Sequence, residues 1–149
     1  MGYVPILPPL AALVLFAVWG LLLVIAIGVS RSTQILFQGK KAGDFPSSTP
    51  HGGSAYWRLN RAHLNVTENL PFFAVVVLAG SFLPLQDDAA FRLLPSLILY
   101  ARVAQTLIHV ASGSPMAVTL RFTAYLVQVA SMLTLAAIEL KAAGLPLPW

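Results

Sequence analysis

The sequence predicts an all-α fold, a bundle of four helices that cross a membrane. Three observations carry that prediction. Of the 149 residues, 58% are hydrophobic and only 9% are charged, against about 25% charged in a soluble domain. Mean hydropathy is +0.80. The apolar residues fall into four runs separated by turn-forming clusters, and at roughly 20 residues per span four crossings use just over half of the chain.

The first span is expected over about residues 7–31. No charge occurs before Arg31. Pro8 and Pro9 suit a first helical turn, where a missing N–H costs little. The segment lacks a basic start and a small-residue cleavage site, so it reads as a retained span rather than a cleaved leader. Trp19 falls near mid-span, away from the interfaces. Residues 32–54 carry Gly39, Gly43, Pro46, Pro50, Gly52 and Gly53 with several Ser and Thr. This is the composition of a polar link, although Gln34 to Gln38 could add a turn to the first helix.

The second helix is expected over about 55–83. Between Glu68 and Asp87 lie 18 uncharged residues, enough for a crossing. Pro71 sits inside it and should free the Thr67 carbonyl. A short turn around Pro84 to Ala90 leads to a third helix over about 91–110. A second turn at Ala111 to Pro115 leads to a fourth over about 116–141, ended by Gly144, Pro146 and Pro148. Trp149 suits an interface anchor.

The charges are patterned. Arg31, Lys40, Lys41, Arg58 and Arg61 surround the first link, whereas the second turn sets Arg92 against Asp87 and Asp88. The positive-inside bias places the first link in the cytoplasm and both termini on the non-cytoplasmic side. The expected location is a bacterial inner membrane, crossed several times and in contact with membrane lipids. Net charge is +4 without a basic stripe interleaved with aromatics, so nucleic acid is not an expected partner. There is no cysteine, which excludes disulfides and a cysteine nucleophile. The three histidines have no ligand spacing, so no metal is expected.

With that topology, polar groups converge where three helices meet the cytoplasmic side. Arg61, Asn65 and Glu68 stand at i, i+4 and i+7 and share a helix face. Arg102, Thr106 and His109 repeat the spacing on the third helix, with Gln105 among them. Arg121, Tyr125 and Gln128 repeat it on the fourth. His63 is about 200° around the helix from Arg61 and faces elsewhere. Such groups are costly in lipid unless they meet partners or a polar ligand. One reading is a structural network in which Glu68 pairs with Arg102 or Arg61. The other is a ligand site, since three arginines against one glutamate leave cations for an anion. A small transporter or channel subunit is a third reading, but no repeat with broken helices supports it.

The run Arg61-Ala62-His63-Leu64-Asn65-Val66-Thr67-Glu68-Asn69-Leu70-Pro71-Phe72, with Ala101-Arg102-Val103-Ala104 on the third helix, resembles the MAPEG family, the membrane-associated proteins in eicosanoid and glutathione metabolism. The chain is similar to a bacterial-type microsomal glutathione transferase-like member. The resemblance implies a homotrimer of four-helix protomers that binds glutathione between subunits in the cytoplasmic leaflet. It maps the family's motif arginine, asparagine and glutamate onto Arg61, Asn65 and Glu68, and its third-helix arginine onto Arg102. Arginines would hold the carboxylates of glutathione and Glu68 its amino group, with Thr106 and His109 beside them. The thiolate-stabilising arginine of the family follows the third-turn proline by two or three residues. Met116, Ala117 and Val118 occupy that place here, and Arg121 is the candidate substitute, with Tyr125 or Thr106 as hydroxyl donor. The implied activity is transfer or peroxidation, with a thiolate attacking a lipophilic small-molecule co-substrate from the bilayer. The alternative is a non-catalytic relative with a structural polar network or a lipid-binding role.

Overall fold

The computed structural model describes residues 6–46, 49 and 51–145. Trp149, expected to anchor at an interface, lies outside the described residues, as do Pro146 and Pro148. Four long helices make up the architecture: α1 (Pro9–Gln38), α2 (Ser54–Ser81), α3 (Ala89–Ala111) and α4 (Pro115–Ala142). Each is long and apolar enough to cross a membrane. Their lengths correspond to about 35–45 Å, more than the roughly 30 Å hydrocarbon core. Bulky apolar side chains such as Val14, Leu21, Ile25, Phe72 and Leu133 are exposed on the outer faces. That surface suits lipid or another apolar chain, not water.

α1 runs past residue 31 and takes in Gln34 to Gln38, the extension that the sequence left open. It continues about two turns past Arg31, because Ile35, Leu36 and Phe37 follow without a breaker. It stops at Gly39, whose φ of 67° is the left-handed conformation that closes helix ends. The Lys40 N–H donates back to the Gln34 carbonyl at 3.3 Å. The link shortens to residues 39–53 and contains a 3-10 turn, Ala42–Asp44, closed by a 2.9 Å bond from the Lys41 N–H to Asp44 Oδ2. The link folds against the helices it joins. Arg31 Nε donates to the Tyr56 hydroxyl at 2.6 Å, and the same guanidinium lies over the Phe45 ring at 5.6 Å. His51 and Phe45 both meet Tyr56 edge-on.

Contacts at the two ends fix an up-down-up-down order. At the link end, Arg58 Nε at the start of α2 donates to the Val110 carbonyl at the end of α3. At the opposite end, the Leu7 N–H donates to Ser96 Oγ at 2.8 Å, tying the entry to α1 against α3. There Gly80 of α2 brings its backbone against the Phe91 ring and Glu139 Oε1, leaving no room for a Cβ. α1 packs on α2 and α3, and α4 packs on α3 and α2, so α1 and α4 occupy opposite flanks. The core lies between them, around Phe16, Val66, Phe73, Ile98, Leu99 and Leu135. Phe16 and Phe73 meet with ring centroids 5.1 Å apart. α2 runs through Pro71 as one helix, and α3 similarly contains Pro95.

Side-chain caps start the last two helices. Asp88 Oδ1 accepts from the Phe91 N–H at 2.8 Å, and Ser114 Oγ accepts from the Ala117 N–H at 3.3 Å. Pro115 follows Ser114 at the first helical position, where its ring costs no hydrogen bond.

Candidate functional site

A cavity of about 470 Å3 opens between α2, α3 and α4 in their link-side halves. From α2 it receives Asn65, Glu68, Asn69 and Phe72. From α3 it receives Arg102, Gln105 and His109. From α4 it receives Val118, Arg121, Phe122 and Tyr125. Helical spacing explains each set: 65, 68, 69 and 72, then 102, 105 and 109, then 118, 121, 122 and 125, are three stripes at intervals of three and four. The volume lies within the range of about 300–1,000 Å3 usual for small-molecule sites.

Arg102 is the most constrained group. It is 1% exposed and ranks among the largest fully buried side chains. Its guanidinium carbon lies 5.8 Å from the centre of the Phe16 ring, so α1 supports it from behind. Its Nε and Nη2 meet no acceptor among the described residues. A buried cation with unmet donors is costly, and it lines a cavity large enough to admit an acceptor. Arg121, half-buried, adds a second cation, and Glu68, exposed, adds the one acid in the lining.

Of the residues singled out from the sequence, Asn65, Glu68, Arg102, His109, Arg121 and Tyr125 surround this one cavity. Two stand apart. Arg61 is exposed one turn nearer the link and does not line the cavity. Thr106 is buried on the other side of α3, where its hydroxyl accepts from Trp19 Nε1 at 3.3 Å. Its place on the same helical stripe as Arg102 did not reveal this, because an i, i+4 step still turns the helix by about 40°, and α1 claims that edge of the stripe. Tyr125 is 39% exposed at the rim.

Gln105 and Gln128, read from the sequence as members of the polar stripes without a role of their own, meet here: Gln105 lines the cavity and pairs with the fully buried Gln128. Their spacing, three residues past Arg102 and seven past Arg121, is the signal that placed them on those stripes. Phe72, Val118 and Phe122 have no such signal, since nothing separates them from lipid-facing apolar residues. Adjoining the polar cavity, a second hollow of about 370 Å3 shares Asn69, Phe72 and Tyr125 and continues along α2 and α4 past Val75, Val129, Met132 and Leu133. Polar and apolar spaces therefore meet at Phe72 and Tyr125.

Four apolar helices, three of them lining a cavity that holds two arginines and a glutamate, define an integral, multi-pass membrane protein. The sequence places it further: a profile of the MAPEG family matches residues 9–140, and the chain belongs to that family. Comparison with curated proteins gave no match.

Proposed function

We propose that the protein binds glutathione and acts as a glutathione transferase or peroxidase on lipophilic electrophiles, as a homotrimer whose first link faces the cytoplasm. One observation carries the reading: Arg102 stands buried in the cavity wall with two nitrogens unpaired, beside a second arginine and a single carboxylate. Such a set suits a small zwitterion with more than one carboxylate. Family membership supports the choice of glutathione.

In this reading Arg102 and Asn65 hold carboxylate and peptide groups, Glu68 takes the ammonium, and His109 closes the link-side wall. Arg61, outside the lining, steers the anion toward the mouth. Thr106 ties α3 to α1 through Trp19 and makes no contact with the ligand. Glutathione supplies a thiol that attacks the co-substrate once ionised. Arg121 favours the anion by its charge, and the Tyr125 hydroxyl donates to it at the rim. The apolar hollow past Phe72 suits the lipophilic partner and keeps water away from the reacting atoms.

The test is calorimetric titration with glutathione in detergent. Glu68→Ala should weaken binding about 10- to 150-fold, the loss of one charge-assisted hydrogen bond. Undiminished affinity in both Glu68→Ala and Arg102→Ala sinks the site. A second reading, a non-catalytic membrane protein with a structural polar network, draws on the buried Gln105–Gln128 pair. It is separated by thiolate absorbance on adding glutathione: a signal lost in Arg121→Ala favours the enzyme, and no signal with no conjugation favours the network.

A further inference from the structure

Two amides beside Arg102 are oriented by their neighbours, and the orientation has a chemical consequence. Gln128 Nε2 donates to the Ala124 backbone carbonyl at 2.8 Å and to Gln105 Oε1 at 3.1 Å. The Ala124 carbonyl can only accept, so the nitrogen of Gln128 must face it. Turning Gln128 over would set its oxygen against two oxygens. The side chain is fully buried and cannot seek water instead.

Gln105 inherits this constraint. Its oxygen is taken by Gln128, so its NH2 group is what remains for the cavity it lines. Gln105 Nε2 has no acceptor among the described residues, and the residue that carries it lines the cavity. Flipping Gln105 would bring nitrogen against nitrogen. The α3 wall therefore offers donors from both Arg102 and Gln105. Across the cavity, Asn69 is turned the other way: its Nδ2 donates to the Asn65 carbonyl at 2.8 Å, which leaves Oδ1 free beside Glu68.

Resting on the glutathione reading, we infer that Gln105 is a specificity-determining residue that donates to a ligand carboxylate, and that Gln128 is the positioning residue that aims it. Gln105 adds a directed, neutral donor where a third cation would add only more repulsion. Arg102, Gln105 and Arg121 thereby put donors on α3 and α4 opposite the acceptors of Glu68 and Asn69 on α2, matching a zwitterion laid across the cavity.

The experiment uses the full chain in detergent, titrated with glutathione and with its diethyl ester, in which both carboxylates are masked. Gln105→Leu should weaken glutathione about tenfold, as expected for one hydrogen bond to a charged group, and leave the weaker ester unchanged. Gln105→Glu keeps the acceptor for Gln128 but puts a carboxylate in the wall, so it should weaken glutathione further. Gln128→Leu should weaken glutathione in the wild-type background and add nothing in the Gln105→Leu background. A merely structural role gives additive losses instead. In the ligand-free protein, side-chain amide exchange should be fast at Gln105 and slow at Gln128.

Failure to bind glutathione overturns the ligand reading and this inference with it. Glutathione binding that ignores Gln105→Leu and Gln105→Glu overturns this inference alone. Equal losses for glutathione and ester, or slow exchange at the Gln105 amide, also overturn it.

Discussion

Replacing Arg102 by Met should reverse the usual relation between a site residue and stability. Arg102 is 1% exposed, and its Nε and Nη2 are unpaired. Each unmet buried donor costs about 1–3 kcal/mol, so removing two relieves about 2–6 kcal/mol. Against this, the contact with Phe16 is worth at most about 2 kcal/mol, and the shorter side chain forfeits about 1 kcal/mol of packing. The balance runs from a loss of about 1 to a gain of about 3 kcal/mol for Arg102→Met without ligand. With glutathione at 100 times its dissociation constant, the wild type gains about 2.7 kcal/mol, and the variant should gain almost none. The assay is thermal unfolding in detergent with and without glutathione, at fixed protein concentration. Wild type should be the more responsive protein, and ligand-free Arg102→Met should lie between about 1 kcal/mol less stable and about 3 kcal/mol more stable than it. A variant that loses several kcal/mol without ligand yet keeps the full glutathione response refutes the reasoning, because Arg102 would then be a satisfied structural group.

Other perturbations test the frame that holds the cavity. Gly80→Ala forces a Cβ against the Phe91 ring and within 2.7 Å of Glu139 Oε1, so it should cost about 1–3 kcal/mol; Phe91→Leu in the same chain should recover part of the loss of thermal stability. Tyr56→Phe removes the 2.6 Å bond from Arg31 and should cost about 1–2 kcal/mol, seen as faster limited proteolysis between residues 39 and 53. Trp19→Phe removes the bond to Thr106 and should cost about 1 kcal/mol of stability while glutathione affinity, read by calorimetry, stays within about twofold.

Much of the membrane architecture was legible in the chain. Four apolar runs and their breakers gave the number of helices, because burial in lipid demands about 20 apolar residues per crossing whatever the neighbours are. The end of α1 was left open between residue 31 and Gln38 for a related reason. Arg31 looks like an interface marker, but a charge does not stop a helix, and the chain continued until Gly39 supplied a left-handed residue. The stripes 65/68, 102/109 and 121/125 were visible because helical period alone puts such residues on one face.

Composition and period by themselves determined that this is a four-span membrane protein with polar stripes in three spans. They could not decide what each stripe meets, since periodicity defines a face only up to rotation of the whole helix. That choice belongs to the packed bundle. Thr106 turned to Trp19 of α1 while Gln105, its neighbour in the chain, turned to Gln128 of α4. Arg102 came to rest on Phe16, 86 residues away, and Glu139 became buried against Gly80 and Phe91. Each outcome depends on small packing and hydrogen-bond differences summed across helices distant in sequence, and those sums exist only once the helices are in contact.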